Sequence, residues 1–148
     1  MKVFLAADHR GLELKNILRD WLKGEGYETA DLGATESDKD DDYPDFGFVL
    51  AKKVAAEPGS FGVAVCGSGV GMGIAANKVD GVRAVLAHDV KLAVAAKRDD
   101  DVNVISIGTD FISEEQAKGI IKAVLETNFS GAARHRRRID KITRYENG

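Results

Sequence analysis

Cys66 is the only cysteine in the chain, and four glycines follow it at alternate positions, Gly67, Gly69, Gly71 and Gly73. The apolar run at 63–65 reads as a buried strand, and residues 74–78 begin like a helix. The thiol therefore stands at the carboxyl end of a strand, facing a loop too rich in glycine to cover it. Amide N–H groups in such a loop point at whatever anion occupies the turn. The same field favours a thiolate. The chemistry on offer is a thiolate base or nucleophile beside a ready-made oxyanion hole.

A lone cysteine at a strand end is more often a small buried hydrophobe. The glycines argue otherwise, because their alternation across a strand–helix junction makes sense only where backbone must approach a ligand. Rival loops fit poorly. A Walker phosphate loop closes on Gly-Lys-Ser/Thr, and Lys78 comes too late. A cysteine-phosphatase loop wants arginine six residues after the cysteine, where Met72 stands. A dinucleotide fingerprint forced from Gly71, Gly73 and Ala76 would start inside the turn.

The elements that must position this loop follow from periodicity. Residues 3–7, 27–32, 61–65, 82–87 and 102–107 read as strands. Residues 12–23, 46–56, 71–78, 90–98 and 113–127 read as helices. The first helix is amphipathic through Leu14, Ile17, Leu18, Trp21 and Leu22, and Ser113 with Gln116 forms a capping box on the fifth. The segment 33–45 is a polar loop with an acidic run, and 131–146 is a basic terminal helix. Strands alternating with helices imply one parallel sheet covered on both faces.

Ligands in such sheets bind beyond the carboxyl ends of the strands. The rule selects Asp8-His9-Arg10, the Cys66 loop, His88-Asp89 and Gly108-Thr109-Asp110. Asp8 is also a plausible cap of the first helix. His9 fits a solvated capping position as well as a ligand-facing one, and His88 reads as an ordinary satisfied histidine. Arg134 and Arg138, at i and i+4, share a helical face and could fork donors onto one anion. Surface ion pairs are the commoner fate of such a run.

At 148 residues the chain is one domain with a sizeable core. A net charge of −3 argues against a broad nucleic-acid surface, and a single cysteine excludes a disulfide framework and suits a reducing compartment. No stretch approaches the roughly 18–20 apolar residues of a membrane span. Met1-Lys2 leads directly into a strand, so the expectation is a cytoplasmic protein with no signal peptide and no membrane partner.

The chain resembles the type B ribose-5-phosphate isomerases and the related galactose-6-phosphate isomerase subunits. The likeness rests on ADHRGLELK at 7–15, DYPDF at 42–46, CGSGVGMGIAANKVDGVRA at 66–84, Asn103, Val104 and Gly108, and RHRRR at 134–138. It implies a Rossmann-like three-layer α/β/α sandwich. It also implies a homodimer, sometimes a tetramer, with each active site across the interface, and no metal or other cofactor. The reaction implied is aldose–ketose isomerisation through an enediol. Cys66 would be the base between C1 and C2, and Ser68 with the amides of Gly67, Gly69, Val70 and Gly71 would stabilise the enediolate. Asp8 would hold hydroxyls, Tyr43 would line the sugar, and His9, Arg134 and Arg138 would hold the phosphate. Some members use glutamate at position 72; Met72 cannot act as a base, so the cysteine mechanism is the consistent one.

Three positions depart from the family pattern. The usual ring-opening histidine is Asp99, the substrate-binding asparagine is Asp100, and the usual phosphate-binding arginine is Asp110. Asp99 could donate a proton only with a raised pKa, toward which Asp100 and Asp101 would push it. A like charge about 5 Å from phosphate costs about 3 kcal/mol at an effective dielectric of roughly 20. The expectation is therefore a divergent distal pocket, tuned away from ribose 5-phosphate, in which arginine at 110 would improve phosphate binding. Asp110 could alternatively pair with Arg134 or Arg138 or accept from sugar hydroxyls. The competing expectations are an isomerase of an unphosphorylated or differently sized sugar, and a non-catalytic sugar-binding module.

Overall fold

In the computed structural model, which describes residues 1–148, five strands form one parallel sheet in the order β2-β1-β3-β5-β4. They are β1 (Lys2–Ala7), β2 (Glu28–Asp31), β3 (Phe61–Cys66), β4 (Ala84–Leu86) and β5 (Val104–Gly108). The helices are α1 (Leu12–Gly24), α2 (Tyr43–Ala56), α3 (Val70–Ala76), α4 (Val90–Asp100), α5 (Glu114–Glu126) and α6 (Ala133–Glu146). The expected three-layer architecture and all five strands are present.

Strand pleating sorts the core. Val3, Leu5, Ala7, Val63, Val65, Ile105 and Ile107 face α1, α4 and α5. Phe4, Ala6, Ala64, Cys66 and Val104 face the other way, onto α2 and α3. The central strand β3 is buried along its whole length, which is why its sequence is continuously apolar rather than alternating. Cys66 closes that strand on the α2–α3 face.

Boundaries moved where tertiary context overrode pattern. The fourth strand is three residues, not six, because β4 is an edge strand that pairs only with β5, through Ala84, Val85 and Leu86. The second helix begins at Tyr43, three residues earlier than expected, since Pro44 sits comfortably in a first helical turn. The capping box of Ser113 and Gln116 is made as expected. α6 buries no residue against its own chain.

Candidate active site

β1 and β3 are neighbours, with Ala7 opposite Val65, so the Asp8–Arg10 turn and the Cys66 loop emerge side by side. Cys66 is 4% exposed, and its Sγ accepts a hydrogen bond from the Gly69 amide at 3.1 Å. The loop is seated on β5. The Thr109 amide donates to the Cys66 carbonyl at 3.0 Å and the Asp110 amide to that of Gly67 at 2.9 Å, while the Ser106 hydroxyl donates to the Gly69 carbonyl. Gly71 and Met72 open α3, where their amides have no intrahelical acceptor.

Each loop glycine has its own reason. Gly69 has φ +78°, in the left-handed region, and its Cα faces Leu86 and the backbone of β5. At Gly71 a side chain would enter the Tyr43 ring, 2.5 Å from an ideal Cβ. At Gly67 it would enter the Arg10 guanidinium, 2.2 Å away. Ser68 is half-buried and its hydroxyl accepts from the Val70 amide at 3.1 Å. Met72 is fully buried.

Asp8 is 7% exposed. It does not cap α1, whose first residue is Leu12 and whose cap position is Gly11. Its Oδ1 accepts instead from the amides of Arg10 and Gly11, at 3.0 and 3.1 Å, fixing the turn that carries His9. His9 Nδ1 stands 2.6 Å from Asp41 Oδ1; Asp8, His9 and Asp41 form one cluster. His9 is therefore pinned within the site rather than solvated as a cap. Tyr43, at the start of α2, is 40% exposed with its ring against Gly71. His88 is exposed and stacks on Phe111, 5.8 Å between ring centroids.

The remaining expected residues lie elsewhere. Asp99 and Asp100 end α4, which runs antiparallel to the strands and so delivers its carboxyl end to the opposite edge of the sheet. There the chain continues to Asn103, whose carbonyl accepts from the Gly62 amide at 2.8 Å. Gly62 is four residues before Cys66, about 13 Å along the strand. Asp99 is also not primed to donate a proton. Arg98, which bonds it at 2.8 Å, holds its carboxyl below the ordinary range, aided by His135 and Arg134. His135, which sequence reading passed over, lies 3.9 Å from Asp99. Arg134 and Arg138 are exposed on α6, whose far end bonds Gly81 through Glu146 at that same opposite edge.

Asp110 is the second correction. It pairs with Arg10, not with Arg134 or Arg138, so its charge is countered within the site. Arg10 also brings a positive charge to the Cys66 cluster, since its guanidinium lies against Gly67. The signal for both was present in the sequence, as two strand-end turns predicted to meet, but which side chains touch depends on the strand order.

An α/β sheet that presents a buried thiol, open amides and a histidine at the carboxyl ends of its strands has the parts of an enzyme that acts on a small polar substrate, with the thiol as base or nucleophile. A sequence profile of the family described as Ribose/Galactose Isomerase matches residues 3–142. Ribose-5-phosphate isomerase B of Mycobacterium tuberculosis is 44% identical over 99% of this chain and 90% of its own length. The crystal structure of ribose-5-phosphate isomerase B from Mycoplasma genitalium with bound ribulose-5-phosphate superimposes with a TM-score of 0.95, at 43% identity, covering 99% of this chain and 96% of that one. The Clostridium thermocellum ribose-5-phosphate isomerase B gives a TM-score of 0.93 at 36% identity, covering 99% and 98%. The chain belongs to the ribose/galactose isomerase family, and it is an aldose–ketose isomerase.

Proposed function

We propose that this chain interconverts ribose 5-phosphate and ribulose 5-phosphate, and that it does so as a homodimer. The observation that carries the reading is the placement of Cys66 Sγ. It is buried at the end of β3, held by the Gly69 amide, on the strand end next to the one that carries the Asp8–His9 turn, in a chain whose Mycoplasma genitalium relative was crystallised with ribulose-5-phosphate.

The Cys66 thiolate takes the proton from C2 of the open-chain aldose. The C–H electrons form the C1–C2 double bond, and the carbonyl pair moves onto O1. That developing oxyanion is met by the Ser68 hydroxyl and by the amides left open at Gly71 and Met72, since those of Gly69 and Val70 are committed to Cys66 Sγ and Ser68. The O2 proton passes to O1, and as O2 becomes the carbonyl the Cys66 thiol returns its proton to C1, which gives the ketose and restores the thiolate. Asp8 holds sugar hydroxyls, Tyr43 walls the sugar, and His9 faces the phosphate with Nε2, since Nδ1 is committed to Asp41.

The dimer follows from the division of the site. Asp99 and Asp100 stand at the opposite end of the sheet from the Cys66 of their own chain, Arg134 lies near Asp99, and α6, which also carries Arg138, finds no core to bury in. The outer surface of α2 and α3 exposes Phe48, Val49, Val70 and Ile74, apolar side chains that a second copy would cover. In this arrangement each α4–α6 edge serves the partner's thiol. Asp99 and Asp100 then meet the sugar as carboxylates, as a divergent distal pocket requires.

The test is turnover of ribose 5-phosphate together with solvent deuterium incorporation at the exchanged carbon, followed by NMR. Cys66→Ala is expected to lose about 10²–10⁴-fold in both. Cys66→Ala mixed with Arg134→Ala should regain part of the activity through heterodimers. Wild-type exchange in Cys66→Ala refutes the thiolate base, and failure to complement after demonstrated subunit exchange places the whole site in one chain.

A further inference from the structure

One guanidinium at the Cys66 site has no role in the reaction as described. Arg10 lies across the Cα of Gly67, the residue that follows the thiol, so closely that an ideal Cβ there would sit 2.2 Å from Cζ and 2.3 Å from Nη1. Its protein acceptor is Asp110 Oδ2, reached by Nη2. Asp110 in turn donates its amide to the Gly67 carbonyl, so the ion pair brackets Gly67 from the turn after β1 and the turn after β5. A guanidinium has five N–H donors, and this one spends a single donor on the protein. The side chain is 51% exposed, and its four other N–H donors find no acceptor in the protein.

An exposed single ion pair adds little to stability, so stability is a poor reason to hold this arrangement against the catalytic loop. Orientation is a better one. A carboxylate gripping one edge of a guanidinium fixes the direction of the remaining fork, which matches two oxygens of a phosphate. The neighbouring residue is built alike: His9 is pinned by Asp41 through Nδ1 and presents Nε2. Consecutive residues of one turn thus each offer a donor at the strand edge, and each is anchored by an aspartate from a different loop.

We propose that Arg10 is the phosphate-binding guanidinium that this chain supplies to its own Cys66 site, with Asp110 as the residue that positions it. The assignment rests on the isomerase reading and makes a phosphorylated sugar the substrate class. Asp110 then supports phosphate binding instead of opposing it.

Four variants test this: Arg10→Ala, Arg10→Lys, Asp110→Ala and Asp110→Glu. The readouts are kcat and KM for ribose 5-phosphate, the Ki of inorganic phosphate, and the rise in Tm that inorganic phosphate gives the free protein. Arg10→Ala is expected to raise KM and Ki by about 10–100-fold, the weight of a lost charge-assisted contact, while kcat changes by less. Arg10→Lys keeps the charge without the fork and should recover only part. Asp110→Ala should raise KM by a smaller factor, and Asp110→Glu should restore it. Unchanged KM and Ki in Arg10→Ala, or a fall in kcat with KM intact, overturns the proposal. If wild type turns over no sugar phosphate, the isomerase reading falls on its own account. A phosphate-induced rise in Tm that is lost in Arg10→Ala then still supports Arg10, and its persistence in that variant removes it.

Discussion

Gly108→Ala should disable the enzyme without altering any side chain that touches substrate. Gly108 ends β5 opposite Cys66, and the catalytic loop crosses directly over it. An ideal Cβ at 108 lies 2.3 Å from both the carbonyl carbon and oxygen of Ser68 and 2.9 Å from its Cα. All three contacts are backbone, so no rotamer change can relieve them. Ordinary contact begins at 3.4 Å, so the Ser68 peptide must retreat by roughly 1 Å, taking the Gly69 amide off Sγ and moving the enediolate donors with it. Overpacking of this kind costs about 1–3 kcal/mol, a fall in Tm of roughly 2–12 °C for a chain of this size. A misplacement of about 1 Å in catalytic geometry costs on the order of 10²-fold in rate. Activity is thus the more sensitive readout. The assay is kcat/KM for ribose 5-phosphate at a temperature well below the variant's own Tm, with a thermal melt by circular dichroism alongside. A variant that melts several degrees lower yet retains wild-type kcat/KM would refute the claim that the loop's seat on β5 sets the geometry of the reaction.

Gly119→Ala is the matched control. In mid-α5 its Cβ would meet only Val90 Cγ2, at 3.9 Å, so it should stabilise by about 0.5–1 kcal/mol with unchanged kinetics, read by urea denaturation. Lys15→Met should destabilise by about 3 kcal/mol in the same assay. It removes a fully buried ammonium from Asp31, 2.7 Å away, although Arg19 and the Gly33 amide still serve that carboxylate; a loss under about 1 kcal/mol would refute the pairing. Burial opposes ionisation of Asp31, but Lys15, the Gly33 amide and Arg19 outweigh it and hold its carboxyl below the ordinary range. A depressed carboxyl contributes stability above its unfolded pKa of about 3.9 that disappears as pH falls through the folded value. Acid melts below about pH 4 should therefore show a steeper loss in wild type than in Asp31→Asn. Asp110→Arg, which charge counting alone expects to improve phosphate binding, should instead raise KM, because it ejects Arg10 from its clamp.

The sequence by itself determined the sheet, its helical layers and the identity of the loop at its centre. Those features are written in local terms: a continuous apolar run for a strand buried on both faces, a 3.6-residue period for α1 and α5, and glycines that exclude side chains where backbone must come close. Cys66, Ser68, Asp8 and His9 were legible because each stands at the carboxyl end of a strand, a position fixed by element order alone. Tertiary structure decided what depends on which elements meet. Strand order brought β1 and β5 to either side of β3, and so set Arg10 against Gly67 and turned Asp110 from an isolated negative charge into its partner. Helix direction carried Asp99 and Asp100 to the far edge, beside His135 and Arg134, where Arg98 keeps Asp99 ionised instead of primed to give up a proton. A carboxylate's effect is set by the charges within a few ångströms of it, and residues 100 apart in sequence become neighbours only when the sheet closes the distance.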